Sequence, residues 1–291
     1  MAKIIITGAT GNIGAYVIHY LLQTEKRLEI RACDYDVGVA KQRLSEMGNM
    51  EIRELDFNRP ELFPLAIENG ELLFLLRPPQ ISDAEKFRPL LELAAKNGIK
   101  GVVFLSVQGA DKQKFIPHAK IEKLIVEMGI PYVFLRPGYF MQNLTTTLFE
   151  DVKNGEILLP AGKAPFMWTD AKNIGETAAN VLVNFDKFSN TAIEITGKEP
   201  VSFGEAVKRI NQAIGIHLKY RSVNLFKFWR HRRKLGTKKE MIAVMSMLHY
   251  LPRLQKPPKV STRYTEITGK EPTTLAQFAE RERISLAARN E

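Results

Sequence analysis

The first 34 residues constrain the fold more than any other stretch. Lys3, Ile4, Ile5 and Ile6 form an apolar, β-favouring run of the length of one buried strand. Thr7-Gly8-Ala9-Thr10-Gly11-Asn12-Ile13-Gly14 follows at once, and Ile13, Val17 and Leu21 then recur every four residues, on one face of a helix. Residues 28–33 read as a second strand ending at Asp34. A strand, a glycine turn, a helix, a second strand and a strand-end acid form the dinucleotide-binding arrangement.

The residue types suit that chemistry. A pyrophosphate is negative, and the first turn of a helix offers unpaired N–H groups at the positive end of the helix dipole. Side chains at Gly8 and Gly11 would obstruct the approach of backbone to phosphate, and Gly14 lets the helix pack tightly on the strand. The turn, with Thr10, Asn12 and Ile13 between its glycines, is therefore the first expected cofactor contact.

Strand and helix patterns alternate beyond it. Strand patterns at 50–55, 71–76, 101–105 and 132–135 are separated by helical stretches near 39–47, 83–97 and 117–128. This predicts an α/β fold, a doubly wound parallel sheet in the order 3-2-1-4-5-6. Ligands of such sheets lie at the carboxyl ends of the strands. Asp34, Asp56, Leu76, Arg77, Pro78, Ser106 and the stretch from Pro137 to Asn143 join residues 8–14 as candidates.

The spacing G-x-x-G-x-x-G after Thr7 resembles the short-chain dehydrogenase/reductase superfamily, and the segment 7–14 is similar to its atypical, extended branch with the NmrA-like proteins. Phe104-Leu105-Ser106, His118-Ala119-Lys120-Ile121-Glu122 and Leu135-Arg136-Pro137-Gly138-Tyr139-Phe140-Met141-Gln142-Asn143 carry the likeness to about residue 184. The resemblance implies a Rossmann-type domain that binds NAD or NADP, with Asp34 favouring NAD. It implies adenine contacts at Asp56 and Phe57, and further cofactor contacts at Ser106, Lys120 (on the nicotinamide ribose), Pro137, Tyr139, Phe140 and Asn143. Reductases of this superfamily carry a tyrosine four residues before the lysine. If Lys120 is that lysine, the position holds Ile116, which cannot donate a proton. Ser106, His118 and Lys120 remain as the catalytic candidates.

Two functions follow from the resemblance. One is an NAD(P)-dependent oxidoreductase acting on a small aromatic or quinone-like substrate. The other is a cofactor-binding redox sensor that acts through a protein partner, which the missing tyrosine favours. Phe140, Met141, Phe166 and Trp168 would line an apolar substrate cleft or serve as core.

Composition narrows the alternatives. An apolar fraction of 45% with 25% charged residues is ordinary for a globular protein. The single cysteine, Cys33, excludes an internal disulfide and a multi-cysteine zinc site, and the five histidines show no metal-ligand spacing. No apolar run reaches the length of a membrane span, so a cytoplasmic monomer or homodimer without membrane contact is expected. We expect a nucleotide-binding domain over 1–150, a mixed substrate or cap region over 151–291, and room for sheet strands to return from 151–200.

The net charge of +10 is concentrated. Residues 218–263 hold thirteen Lys or Arg and one acid, Glu240. The run 227–234 interleaves aromatics with cations as a nucleic-acid patch would. Yet Met241, Val244, Met245 and Leu248 follow on one helical face, so we expect a small helical cap over the nicotinamide end of the cleft, its cations mostly solvated or near an acidic ligand or partner, and no nucleic acid. The echo of Ile-Thr-Gly-Lys-Glu-Pro at 195–200 and 267–272 predicts, twice, a strand leaving through a glycine turn into a capped helix.

Overall fold

The apolar strand runs become one seven-stranded parallel sheet in the computed structural model, which describes residues 2–25 and 27–287. Its strands are β1 (Ala2–Thr7), β2 (Leu28–Asp34), β3 (Glu51–Glu54), β4 (Leu72–Leu76), β5 (Gly101–Leu105), β6 (Tyr132–Pro137) and a returning strand, Thr191–Ile195. From one edge the order is β3, β2, β1, β4, β5, β6 and the returning strand. The expected order thus holds, extended by one strand that pairs parallel with β6.

Burial on both faces explains the continuous apolar runs, since helices cover a parallel sheet on each side. On one face Leu73, Leu75, Val102 and Phe104 pack against Phe87, Leu91, Ile121 and Ile125. These last come from the segment that precedes and includes the helices α4 (Arg88–Lys96) and α5 (Pro117–Glu127), which follow the helices α1 (Asn12–Leu22), α2 (Val37–Leu44) and α3 (Phe63–Ile67). Elsewhere α1 crosses the helix Ala171–Val183 so closely that a Cβ on Gly175 would lie 2.3 Å from Tyr16 Cβ.

The chain divides into two compact units. The first comprises Met1–Pro137, Ala171–Ile195 and Arg263–Lys270; the second comprises Gly138–Asp170, Thr196–Thr262 and Glu271–Glu291. Helix Ala171–Val183 and strand Thr191–Ile195 fall in the first unit because the strand completes the parallel sheet.

The second unit has its own core of Tyr139, Phe166, Trp168, Phe203, Phe228 and Phe278. The strand Pro165–Thr169 lies between Tyr139–Phe140 and Pro200–Ser202, while Glu156–Leu159 pairs with Lys219–Ser222. Met141, Phe166 and Trp168 are buried here, with the Trp168 indole N–H donating to Val201 O at 2.9 Å. They are core rather than an open apolar wall; Phe140 alone of the four is partly exposed.

Three local expectations need correction. The helix Lys239–Tyr250 turns Ile242, Met245 and His249 inward, leaving Val244 and Leu248 half exposed. The apolar pattern on this helix runs almost all round, so periodicity alone misjudged its buried side. Of the basic residues expected to be solvated, Arg232 is buried, against Asp151. And the second copy of the echo leaves a helix, Arg263–Thr268, not a strand. Its capping box at Thr274 and Gln277 forms as expected, and Lys198 of one copy pairs with Glu271 of the other at 3.0 Å.

Candidate functional site

The glycine turn is built for close approach. Gly8 adopts φ +62°, a left-handed conformation that favours glycine. A Cβ on Gly14 would lie 2.2 Å from Gly8 O, so α1 can begin at this distance from β1 only with glycine there. Gly11 is the N-cap of α1, no side chain caps the helix, and its first turn contains no acid. The N–H groups of this turn are thus left to an external anion. Thr7 fastens the turn to the sheet: its Oγ1 donates to Phe74 O at 3.2 Å and accepts from Leu76 N at 2.8 Å. A groove of about 290 Å³ beside the turn is lined by Thr10, Gly11, Asn12 and Tyr16, among others. A larger open groove, about 560 Å³, runs past Asn49 and Met50 at the amino end of β3, the wrong end for a ligand of this sheet.

Asp34 is buried and already engaged. Its Oδ2 accepts from Thr10 N at 2.9 Å and Thr10 Oγ1 at 2.7 Å, while Oδ1 accepts from Tyr35 N at 2.9 Å. The acid therefore steadies the glycine turn. Arg43 on α2 reaches the same turn, with Nη1 3.5 Å from Thr10 O. Asp56 accepts from Asn58 N at 2.9 Å, which is turn chemistry, and Phe57 is buried against Phe63 and Phe87.

The catalytic candidates fall into two arrangements. Ser106 is buried, and its hydroxyl donates to Glu122 Oε1 at 2.5 Å. Glu122 in turn receives Arg136 Nε at 2.9 Å on Oε1 and Nη2 at 2.6 Å on Oε2, a bidentate pair that holds the Arg136 guanidinium pKa above its ordinary value. Ser106 is thus committed to a buried strand-to-helix clamp. Sequence reasoning missed Glu122 and Arg136 as a pair. The available signal was Arg136 inside the otherwise apolar run 133–137; Glu122, between Lys120 and Lys123, gave none.

His118 and Lys120 lie at the start of α5. Burial and the nearby Arg77 push the His118 pKa down to about 3, so near neutral pH it is no imidazolium proton donor. Its Nε2 accepts from Arg77 Nε at 3.3 Å, which puts the ring proton on Nδ1. Lys120 is exposed in the first turn of α5, the positive end of the helix dipole, with no carboxylate partner among the described residues. Ile116, the N-cap residue of α5, is buried. Leu76 abuts Gly8, and Arg77 and Pro78 follow it out of β4.

Pro137 ends β6 in the first unit, whereas Tyr139, Phe140 and Asn143 belong to the second. There Tyr139 is buried, its hydroxyl 3.0 Å from His249 Nε2. His249 Nδ1 lies 2.7 Å from Met245 O, an acceptor, so Nδ1 carries the proton and Nε2 accepts from Tyr139. Burial pushes the His249 pKa down to about 4 and raises that of Tyr139, against a hydrogen bond with Asn143 that lowers it. Nearby, buried Asp151 accepts from Arg232 Nη1 and from His231 Nε2 at 2.7 Å, and Arg232 Nη2 donates to Thr147 O at 2.8 Å. Sequence reasoning missed this cluster because its members lie far apart along the chain.

Among the described residues no group of acids, histidines or cysteines could hold a metal, and no helix is long and apolar enough to cross a membrane. Cys33 is buried and its thiol is pushed up to about 12 by desolvation, which makes it inert core.

Comparison with known proteins agrees with this geometry. The model of the NmrA-like family matches residues 1–275. Prestalk A differentiation protein A of Dictyostelium discoideum is 29% identical over 279 residues, covering 95% of this chain and 91% of that protein. The NAD(P)H azoreductase of Xenophilus azovorans is 27% identical over 281 residues, 95% of this chain and 96% of its own. The triphenylmethane reductase of Citrobacter sp., solved with NADP(H), has the same fold: TM-score 0.83 at 21% identity, covering 96% and 99% of the two chains.

Proposed function

The chain belongs to the NmrA-like family, and we propose that it is an NAD(P)-dependent oxidoreductase that reduces a small aromatic or quinone-like acceptor. The observation that carries this reading is the Gly8–Gly14 cradle, in which α1 starts uncapped and so close to the turn that a Cβ at Gly14 would lie 2.2 Å from Gly8 O. An anionic dinucleotide fits it: α1 would hold the pyrophosphate, Asp34 the adenine ribose and Lys120 the nicotinamide ribose. A bound reduced nicotinamide supplies a hydride. The azoreductase relative and the NADP(H)-bound dye reductase support the reaction class and the acceptor class.

The residues also limit the chemistry. With Ile116 at the tyrosine position and Ser106 held by Glu122, no hydroxyl of the usual reductase set is free to protonate a substrate. Acceptors whose hydride adduct is a stabilised oxyanion, such as quinones, need no such donor, since water completes the protonation, and a cationic triphenylmethane dye becomes neutral on taking hydride and needs no proton at all. The same two observations favour a second reading, a redox sensor that binds the cofactor without turnover.

Oxidation of NADH and NADPH by a panel of quinones, azo dyes and triphenylmethane dyes tests the choice. Turnover with at least one class supports the oxidoreductase. Tight cofactor binding with no oxidation across the panel overturns it in favour of the sensor.

A further inference from the structure

The second unit carries a helix whose outward face is basic. Helix Leu225–Lys234 is fastened from within: Phe228 lies in the core, and Arg232 is buried on Asp151. Those two anchors set which side meets solvent. On the opposite side Phe226, Arg230 and Lys234 follow at four-residue spacing, flanked by Lys227 and Arg233, and all five are exposed. Exposed Lys238 and Lys239 continue the run, and no acid occurs between residues 206 and 239.

Two properties set this face apart from plain solvated surface. Phe226 is 76% exposed, an aromatic ring projecting from among cations. The six cations Lys227, Arg230, Arg233, Lys234, Lys238 and Lys239 pair with no carboxylate among the described residues, whereas Arg232 beside them does. A site for a single phosphate is built from donors held in place; loose cations spread over a face attract a charged surface instead. A second copy of the chain would oppose six like charges to these. A duplex nucleic acid would meet the cations with its phosphates and leave Phe226 in water. A protein partner would need a pocket for the ring as well as acids around it. An anionic bilayer meets both needs with no preformed pocket, since its headgroups take the cations and the acyl boundary beneath them takes the ring.

We propose that the outward face of helix Leu225–Lys234 docks the protein on an anionic bilayer surface, with Phe226 inserted at the headgroup level and the cations among the lipid phosphates and carboxylates. Clusters of about four to eight Lys or Arg on an amphipathic helix bind such surfaces, and this face with its extension holds six. The contact is peripheral and needs no crossing helix; the expectation of no membrane contact rested on spanning length alone. The docking is independent of the oxidoreductase reading and holds for either proposed function.

Sedimentation of the full chain with sucrose-loaded vesicles tests the docking. One set contains phosphatidylcholine with one-third phosphatidylserine, the other phosphatidylcholine alone, both at about 100 mM salt. The wild type is expected to bind the anionic vesicles at least about tenfold more tightly than the neutral ones, and to release them as salt is raised. A cation at such a surface is worth about fivefold in affinity, so Arg230→Ala with Arg233→Ala should lose about 25-fold. Phe226→Ser should lose about tenfold and leave the salt dependence unchanged. Lys86→Ala with Lys96→Ala removes the same charge from exposed positions of the first unit and should bind within about threefold of wild type. All these side chains are exposed, so the variants should melt as the wild type does. Equal binding to the two kinds of vesicle overturns the proposal, and so does an Arg230 and Arg233 double variant that binds like the wild type. Tighter binding at the same salt to duplex DNA or to poly-glutamate than to the anionic vesicles overturns it as well, and assigns the face to a nucleic acid or to an acidic protein.

Discussion

The glycine-turn edge of the first unit and the Tyr139–His249–Asp151–Arg232 cluster of the second are both rich in polar groups, but they are finished differently. In the second, nearly every donor meets a protein acceptor, and Arg232 Nε is the one buried side-chain polar atom without a partner among the described residues. In the first, the α1 N-terminus is uncapped and Lys120 and Arg77 have no carboxylate partner among the described residues. Polar density alone therefore does not mark a site. Unmet hydrogen-bonding capacity that faces solvent does, because a ligand can meet it, whereas a closed buried network holds one conformation.

Substitutions on each side should break different properties. The largest effect is expected from Gly14→Val. Its Cβ would meet Gly8 O at 2.2 Å and force the turn away from α1, so cofactor binding by calorimetry should fall below detection. Retained binding would remove the cradle from the argument. On the closed side, Asp151→Asn leaves the Arg232 charge buried without its carboxylate and should cost about 3–5 kcal/mol of stability in a denaturant titration. A loss under about 1 kcal/mol would mean that solvent reaches Arg232 after all.

Acid should find the closed cluster next. The folded-state pKa of His249, about 4, lies below its ordinary 6.5, so the folded protein binds fewer protons than the unfolded chain between those values. Its contribution is complete above about pH 6.5 and is lost as pH falls toward 4, to the extent of about 3 kcal/mol. Denaturation at pH 7.5 and 4.5 should show this difference, and His249→Gln should shrink it. His118 acts in the same direction at the other edge.

How much of this could be read in the sequence depended on how local each feature is. The turn, its flanking strands and helix, and the sheet order follow from contiguous patterns, and the sheet formed as expected with one added strand. The clamp of Ser106, Glu122 and Arg136 joins three separate elements, so its members were visible and their pairing was not. Tyr139 stands after a strand end, which the sequence shows, whereas its hydroxyl meets His249, 110 residues away, which no local pattern reveals. The inward face of helix Lys239–Tyr250 was misjudged because apolar residues lie on both of its sides, and only packing could choose between them.

Lys120→Ala sharpens the open side. A charge-assisted hydrogen bond to a ribose hydroxyl is worth roughly 1.5–3 kcal/mol, so cofactor affinity should fall by about tenfold or more. Because Lys120 is exposed and unpaired in the free protein, melting should scarcely change. Unchanged affinity and turnover would return it to the solvated surface.

The smallest expected effect concerns the choice between NAD and NADP. At a ribose-binding position Asp34 would repel a 2′-phosphate, and Tyr35, Asp36 and Val37 after β2 bring no cation. Thr10 N and Oγ1 fill both lone-pair sites of Asp34 Oδ2, but Oδ1 accepts only from Tyr35 N and keeps a further lone pair for a ribose hydroxyl. NADH should therefore bind at least as tightly as NADPH. Arg43 opposes this weakly: its guanidinium reaches Thr10 O at 3.5 Å and lies exposed, where an ion pair is worth about 0–1 kcal/mol. Arg43→Ala should cost NADPH a few-fold in affinity and leave NADH unchanged. Calorimetry with both cofactors on both proteins decides it. NADPH binding about tenfold tighter than NADH in the wild type would mean that Thr10 screens Asp34 fully and that Arg43 governs the site.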